Sequence, residues 1–132
     1  MNAFVIELEN RPGSLATVAE AIAQKGINIS GVSGATVGNQ GSVTILTNDE
    51  SGTRSALETG GFAYREIGLV SAALEDKPGT LAAAARRLAD AGVNIETMIP
   101  TGMDAGKISI AIGVSDVEAA KRARGELSAV GI

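Results

Sequence analysis

The feature that most constrains this chain is an internal repeat. Leu8-Glu9-Asn10-Arg11-Pro12-Gly13-Ser14-Leu15 is matched, 66 residues later, by Leu74-Glu75-Asp76-Lys77-Pro78-Gly79-Thr80-Leu81. The same step carries Gly26-Ile27-Asn28-Ile29 onto Gly92-Val93-Asn94-Ile95, so a turn, a helix and the strand after it share one register. Further on, Gly41-Ser42-Val43-Thr44-Ile45 aligns with Gly106-Lys107-Ile108-Ser109-Ile110 at a step of 65, which implies a one-residue deletion in the intervening loop. The 132 residues therefore read as two copies of one small unit, over 1–67 and 68–132. Each copy is near the size at which a single hydrophobic core is marginal.

Within each copy the apolar periodicity changes in a fixed order. Phe4, Ile6 and Leu8 alternate with more polar neighbours, as do Val70, Ala72 and Leu74, and both runs read as half-buried strands. After Pro-Gly, Leu15, Val18, Ala19 and Ile22 fall at helical spacing, as do Leu81, Ala84, Ala85 and Leu88. Gly26 and Gly92 suit the left-handed stop of those helices, with second strands beginning at Ile27–Ile29 and Val93–Ile95. The segments Gly38–Gly41 and Gly102–Gly106 read as hairpin turns before the alternating runs Val43, Ile45, Thr47 and Ile108, Ile110, Ile112. Asp49, and Asp116 or Ser115, are candidate caps for second helices reaching about Gly60 and Glu126. Fourth strands are expected at Ala63–Ile67 and Ser128–Ile132. The order is βαββαβ, twice. The expected class is α+β: two ferredoxin-like units, each an antiparallel sheet with its helices on one face.

The residue types that are missing narrow the function. With no His and no Cys the chain supplies no imidazole base, no thiolate nucleophile, no disulfide and no zinc or iron site built from those ligands. No metal or cofactor is expected, and the chain reads as a non-enzyme. A net charge of −4 and only three aromatic residues argue against nucleic acid as a partner. No apolar run nears the roughly 20 residues of a membrane helix, and the N-terminal sequence lacks a secretion-signal pattern, so no membrane partner and a cytoplasmic location are expected.

What chemistry remains lies at the repeated turns. A Pro before a helix loses no hydrogen bond, and Gly13 or Gly79 brings no side chain between a ligand and the backbone. Free N–H groups at Gly13, Ser14 and Leu15, and at Gly79, Thr80 and Leu81, would face outward with the positive helix end behind them, which suits a carboxylate. Asn10 and Asp76 carry oxygens able to accept from an ammonium group, and Asn28 and Asn94 offer both donors and acceptors at the start of the neighbouring strand. One pocket could thus take both ends of an amino acid, with Asp76 favouring the ammonium more strongly than neutral Asn10. The alternative is plain turn chemistry, duplicated with the rest of the unit.

At these residues the chain resembles the ACT domain, a regulatory family whose members carry a D/N-R/K-P-G-x-L turn and a downstream G-I/V-N-I element. Both copies match both elements, so the chain is similar to a stand-alone tandem ACT protein. The resemblance implies a ferredoxin-like fold, association of ACT units through their sheets into a homo-oligomer such as a dimer, and amino-acid effectors held where units meet, near the Pro-Gly turns. It carries over to Asn10, Arg11, Pro12, Gly13, Ser14, Leu15 and Asn28, and to Asp76, Lys77, Pro78, Gly79, Thr80, Leu81 and Asn94. Many members of that family regulate an attached catalytic domain; none is read in these 132 residues, so a regulated enzyme in trans is a possible partner.

Other signals carry less. Gly102-Met103-Asp104-Ala105-Gly106-Lys107 has the wrong glycine spacing for a phosphate loop, and Ile108 stands where Ser or Thr is needed. Arg86-Arg87 and Lys121–Arg124 are interspersed with acidic residues and read as solvated helix faces. Glu7, Glu9, Glu75 and Asp76 invite an acid/base role, yet no nucleophile accompanies them. The expected function is a noncatalytic regulatory module binding a small amino acid or related zwitterion. Its rival is a structural oligomerisation module without a small-molecule ligand.

Overall fold

A computed structural model describes residues 1–129, with side chains through Ala123. In chain order the elements are β1 (Asn2–Glu9), α1 (Ser14–Ala23), β2 (Ile29–Val37), β3 (Gln40–Thr47), α2 (Glu50–Thr59), β4 (Tyr64–Glu75), α3 (Thr80–Asp90), β5 (Ile95–Asp104), β6 (Lys107–Val114) and α4 (Val117–Ala129). The fold is α+β with antiparallel strand pairs. It divides into two compact units, one over Asn2–Glu66 and one from Ile67 onward together with Met1.

In the first unit the strand order is β2-β3-β1-β4. Phe4 faces Ile45 and Ile6 faces Val43 across the β1/β3 pair. Those four side chains meet Val18 and Ile22 of α1, Leu57 of α2 and Ile27 in one buried cluster, so both helices lie on one face of the sheet. Each such side chain taken fully from water contributes about 1.5–3 kcal/mol. Asp49 caps α2 as its sequence suggests, its carboxylate accepting from the Gly52 amide at 2.9 Å.

An ion pair closes the far side of this unit. The Arg54 guanidinium holds both carboxylate oxygens of Glu66, and the Asn2 side-chain amide donates to the same carboxylate at 3.2 Å. The Arg54 hydrogen bond keeps the Glu66 carboxyl below its usual value, against the opposing effect of burial. A carboxylate depressed in the folded state adds stability above its unfolded value, near 4.5, and that stability is lost as pH falls through the depressed value. Glu66→Gln should therefore unfold at lower urea than the parent chain at neutral pH, and the gap should narrow steadily below pH about 4.5. A gap that stays constant from neutral to strongly acidic pH would show that the pair contributes nothing by charge.

In the second unit the order is β4-β6-β5. Val70, Leu88, Val93, Ile112, Val114, Ala120 and Ala123 form its main cluster, again joining two helices to one sheet face. The Asp116 carboxylate accepts from the Ala119 amide at 3.0 Å, at the start of α4.

Four sequence expectations change. The strands expected around Ala63–Ile67 and Val70–Leu74 form one strand of 12 residues, β4, because no turn residue other than Gly68 separates them. Ile27 and Val93 are buried plugs ahead of β2 and β5, which begin two residues later. The third strands differ by 67 rather than 65: Phe4 to Val70 is a step of 66, whereas their partners Ile45 and Ile112 are 67 apart. The second copy has gained a residue, absorbed by a register shift between Pro100 and Gly102. Finally, α4 runs through Ala129 and takes in the first two residues of the strand expected at Ser128–Ile132, since nothing in Glu126-Leu127-Ser128-Ala129 breaks a helix; the remaining three lie outside the described residues.

Candidate functional site

The Pro-Gly turns have the same geometry in both units. Gly13 has φ 90° and ψ −13°, and Gly79 has φ 92° and ψ −12°. With Pro ahead of Gly in the left-handed region, each is a type II turn, and the Ser14 amide closes the first one on the Arg11 carbonyl at 3.4 Å. The helices thus begin after the glycine. Pro12 and Pro78 sit in the turns rather than in the first helical turn, because the left-handed glycine must come between. The glycine carbonyls accept from Thr17 and Ala83, each at 3.0 Å. No side chain caps either helix, and no hydrogen bond among the described residues engages the amides of Leu15 and Ala16, or of Leu81 and Ala82.

A groove of about 470 Å³ opens beside the first turn. Asn10, Arg11, Ser14 and Leu15 form its wall, and Gly34, Thr36, Gly41 and Val43 its floor. The β2 residues that line it, Gly34, Ala35 and Thr36, are small and exposed. Leu15, which the helical stripe assigns to the core, is 51% exposed at its rim, and Leu81 is 50% exposed. Arg11 pairs with Glu9 at 3.2 Å, and Lys77 pairs with Glu75 at 2.7 Å. The Lys77 contact holds the Glu75 carboxyl below its usual value. The Asn10 amide nitrogen donates to the Gly38 carbonyl at 2.8 Å, which fixes the side chain and leaves its oxygen as the end able to accept. A second groove, of about 460 Å³, lies along Val5, Glu7, Ala35 and Val37 and contains none of the sequence-derived site residues.

The two downstream asparagines do not join these turns within their own units. β2 runs parallel to β1, since both are antiparallel to β3. The Pro-Gly turn follows the end of β1, and Asn28 precedes the start of β2, next to the Thr47 end of β3. At about 3.3 Å per residue the length of β2 separates them by roughly 27 Å. There the Asn28 amide donates to Asn48 Oδ1 at 3.4 Å. Asn94 is placed likewise, its amide donating to Ser115 Oγ at 3.0 Å. In the second turn the Thr80 hydroxyl, buried, donates to the Glu75 carbonyl at 2.8 Å, with the Lys77 carbonyl at 3.2 Å. Gly34, Thr36 and Gly41 carry no site motif in the sequence, and cross-strand pairing brings them together on the groove floor. Their signal was a run of small residues, Gly34-Ala35-Thr36, within an alternating strand.

Among the described residues, no three acidic side chains gather in a way that could hold a metal ion. No helix among them is long and apolar enough to cross a membrane.

Solved structures with this fold cover nearly the whole chain. A crystal structure of protein BT0572 from Bacteroides thetaiotaomicron is 26% identical with a TM-score of 0.76, over 96% of this chain and 88% of that one. The regulatory subunits of aspartate kinase from Thermus flavus and Thermus thermophilus are each 22% identical, with TM-scores of 0.66 and 0.62. Each aligns over 95% of this chain, and over 91% and 89% of its own. No curated protein matches the chain. The family match reaches the first of the two repeats: a single ACT domain is found, over residues 3–59, the stretch that holds the first Pro-Gly turn and its groove.

Proposed function

We propose that this chain is a noncatalytic regulatory module that binds a small amino acid or related zwitterion at the first Pro-Gly turn and signals to an enzyme in trans. The observation that carries the reading is the open groove beside a helix start whose Leu15 and Ala16 amides have no acceptor among the described residues. A ligand carboxylate fits those amides and the positive helix end, and an ammonium fits Asn10 Oδ1. The ACT match over 3–59 supports this reading, as do neighbours of the same fold that are regulatory subunits of aspartate kinase. On the same reading the chain is a tandem ACT protein of the cytoplasm, with the second unit the second repeat.

A second copy of the chain completes the site. β2 is an edge strand of its unit, and Ile29–Val37 contains no charged residue and no Pro to prevent pairing. Antiparallel pairing of two β2 edges reverses one strand against the other. Asn28 of a second copy is then delivered to the Gly34–Thr36 end, where its own unit cannot place it. The site lies between copies, and the homodimer follows from the need to fill it.

Thermal denaturation with each common L-amino acid at millimolar concentration tests the proposal. A ligand present at about 100 times its dissociation constant adds about 2.7 kcal/mol to stability. A rise in melting temperature for one amino acid or a related few is the expected result, and Asn28→Ala should reduce it. A flat melting temperature across the whole series favours the structural oligomerisation module, for which the Asn10 to Gly38 bond is only a brace.

A further inference from the structure

We infer that each chain holds one effector, at the first turn, and that the second turn is a copy whose groove is filled by its own side chains. The inference rests on the binding reading above and concerns which of the two turns can serve it. The amides at the two helix starts are equally open, so the difference must lie in the floor. The strand registers identify the equivalent positions. Gly41 stands opposite Leu8 and Thr36, and in the second unit Ile108 stands opposite Leu74 and Met103. Gly34 stands opposite Val43, and Pro100 opposite Ile110. The floor of Gly34, Thr36 and Gly41 is therefore replaced by Pro100, Met103 and Ile108. Two positions without side chains become a proline ring and a branched aliphatic, on the face that carries Ile110 and Ile112.

The wall differs in the same sense. The Ser14 hydroxyl lines the first groove and has no hydrogen bond among the described residues. Its counterpart Thr80 is buried and spends its proton on backbone carbonyls of the turn itself. A ligand at the second turn would meet neither a free hydroxyl nor a glycine floor. Gly34 and Gly41 are thus the residues that decide which copy binds, whatever charge Asp76 adds to the second turn.

Gly34→Val tests this directly. A Cβ built at Gly34 meets the Ser42 carbonyl oxygen at 3.4 Å and the Val43 side chain at 3.8 Å or beyond, ordinary contacts for that atom, and the melting curve without ligand checks that the variant folds. The thermal series with the common L-amino acids is run on the parent chain, on Gly34→Val and on Asp76→Ala. Calorimetry on the parent then counts sites for the amino acid that gives the largest shift. The expected result is one site per chain, a shift kept in Asp76→Ala, and a shift lost or affinity at least tenfold weaker in Gly34→Val. Two sites per chain, or a shift that survives Gly34→Val and vanishes in Asp76→Ala, overturns the inference and leaves the binding reading standing. No shift in the parent chain overturns both.

Discussion

Phe4→Ala is expected to lower the unfolding free energy by about 3–5 kcal/mol, read from urea unfolding followed by circular dichroism. Phe4 is fully buried at the centre of the first unit's cluster, and its ring lies 6.1 Å from that of Tyr64. Its neighbours are the Ile, Val and Leu side chains of that cluster, with Phe62 and Tyr64 packed against it, and close packing leaves them little freedom to move into the space a benzyl group leaves. Lost transfer free energy and an unfilled cavity then add. Whole domains are stable by only about 5–15 kcal/mol, so this one ring accounts for a large share of that margin. Phe4→Leu, which restores most of the volume, should cost less than about 1.5 kcal/mol. A loss below about 1 kcal/mol for Phe4→Ala would mean that the core collapses around the gap, and that its packing is looser than its burial implies.

The sequence and the structure agree where a local rule determines the outcome. Pro-Gly specified the turn, Asp49 the cap and Gly26 the left-handed stop, since each depends on the residue's own backbone or side chain. They part where the outcome depends on what lies across a strand. Gly41 and Gly106 invite alignment because both are glycines beside a hairpin, yet Gly106 sits inside the turn, at φ 77°, and Gly41 inside a strand. Only the pairing partners reveal the inserted residue near Thr101. The groove floor was hidden for the same reason. Asn28 is a different case, because its position was available from topology. A helix that crosses between parallel strands returns the chain to the end at which the first strand began, so the residue opening β2 cannot meet the turn that closes β1.

Gly13→Ala separates the backbone's requirement from the ligand's. At φ 90° a non-glycine residue costs roughly 1–2 kcal/mol, and the added Cβ meets nothing within 4 Å, so this strain is the whole cost without ligand. Gly79→Ala imposes nearly the same conformation, at φ 92°, in equally open surroundings and should cost the same. With the effector present the two variants diverge. In Gly13→Ala the strained backbone relaxes by rotating the peptides that lead into the helix, which misaligns the amides of Leu15 and Ala16. A tenfold weaker dissociation constant removes about 1.4 kcal/mol of ligand stabilisation, bringing the total deficit to about 3 kcal/mol. Gly79→Ala should keep its full ligand response. Melting curves for both variants, with and without the active amino acid, give the comparison. Equal deficits under ligand would place the effector at both turns or at neither, because the backbone cost common to both variants cancels in their difference.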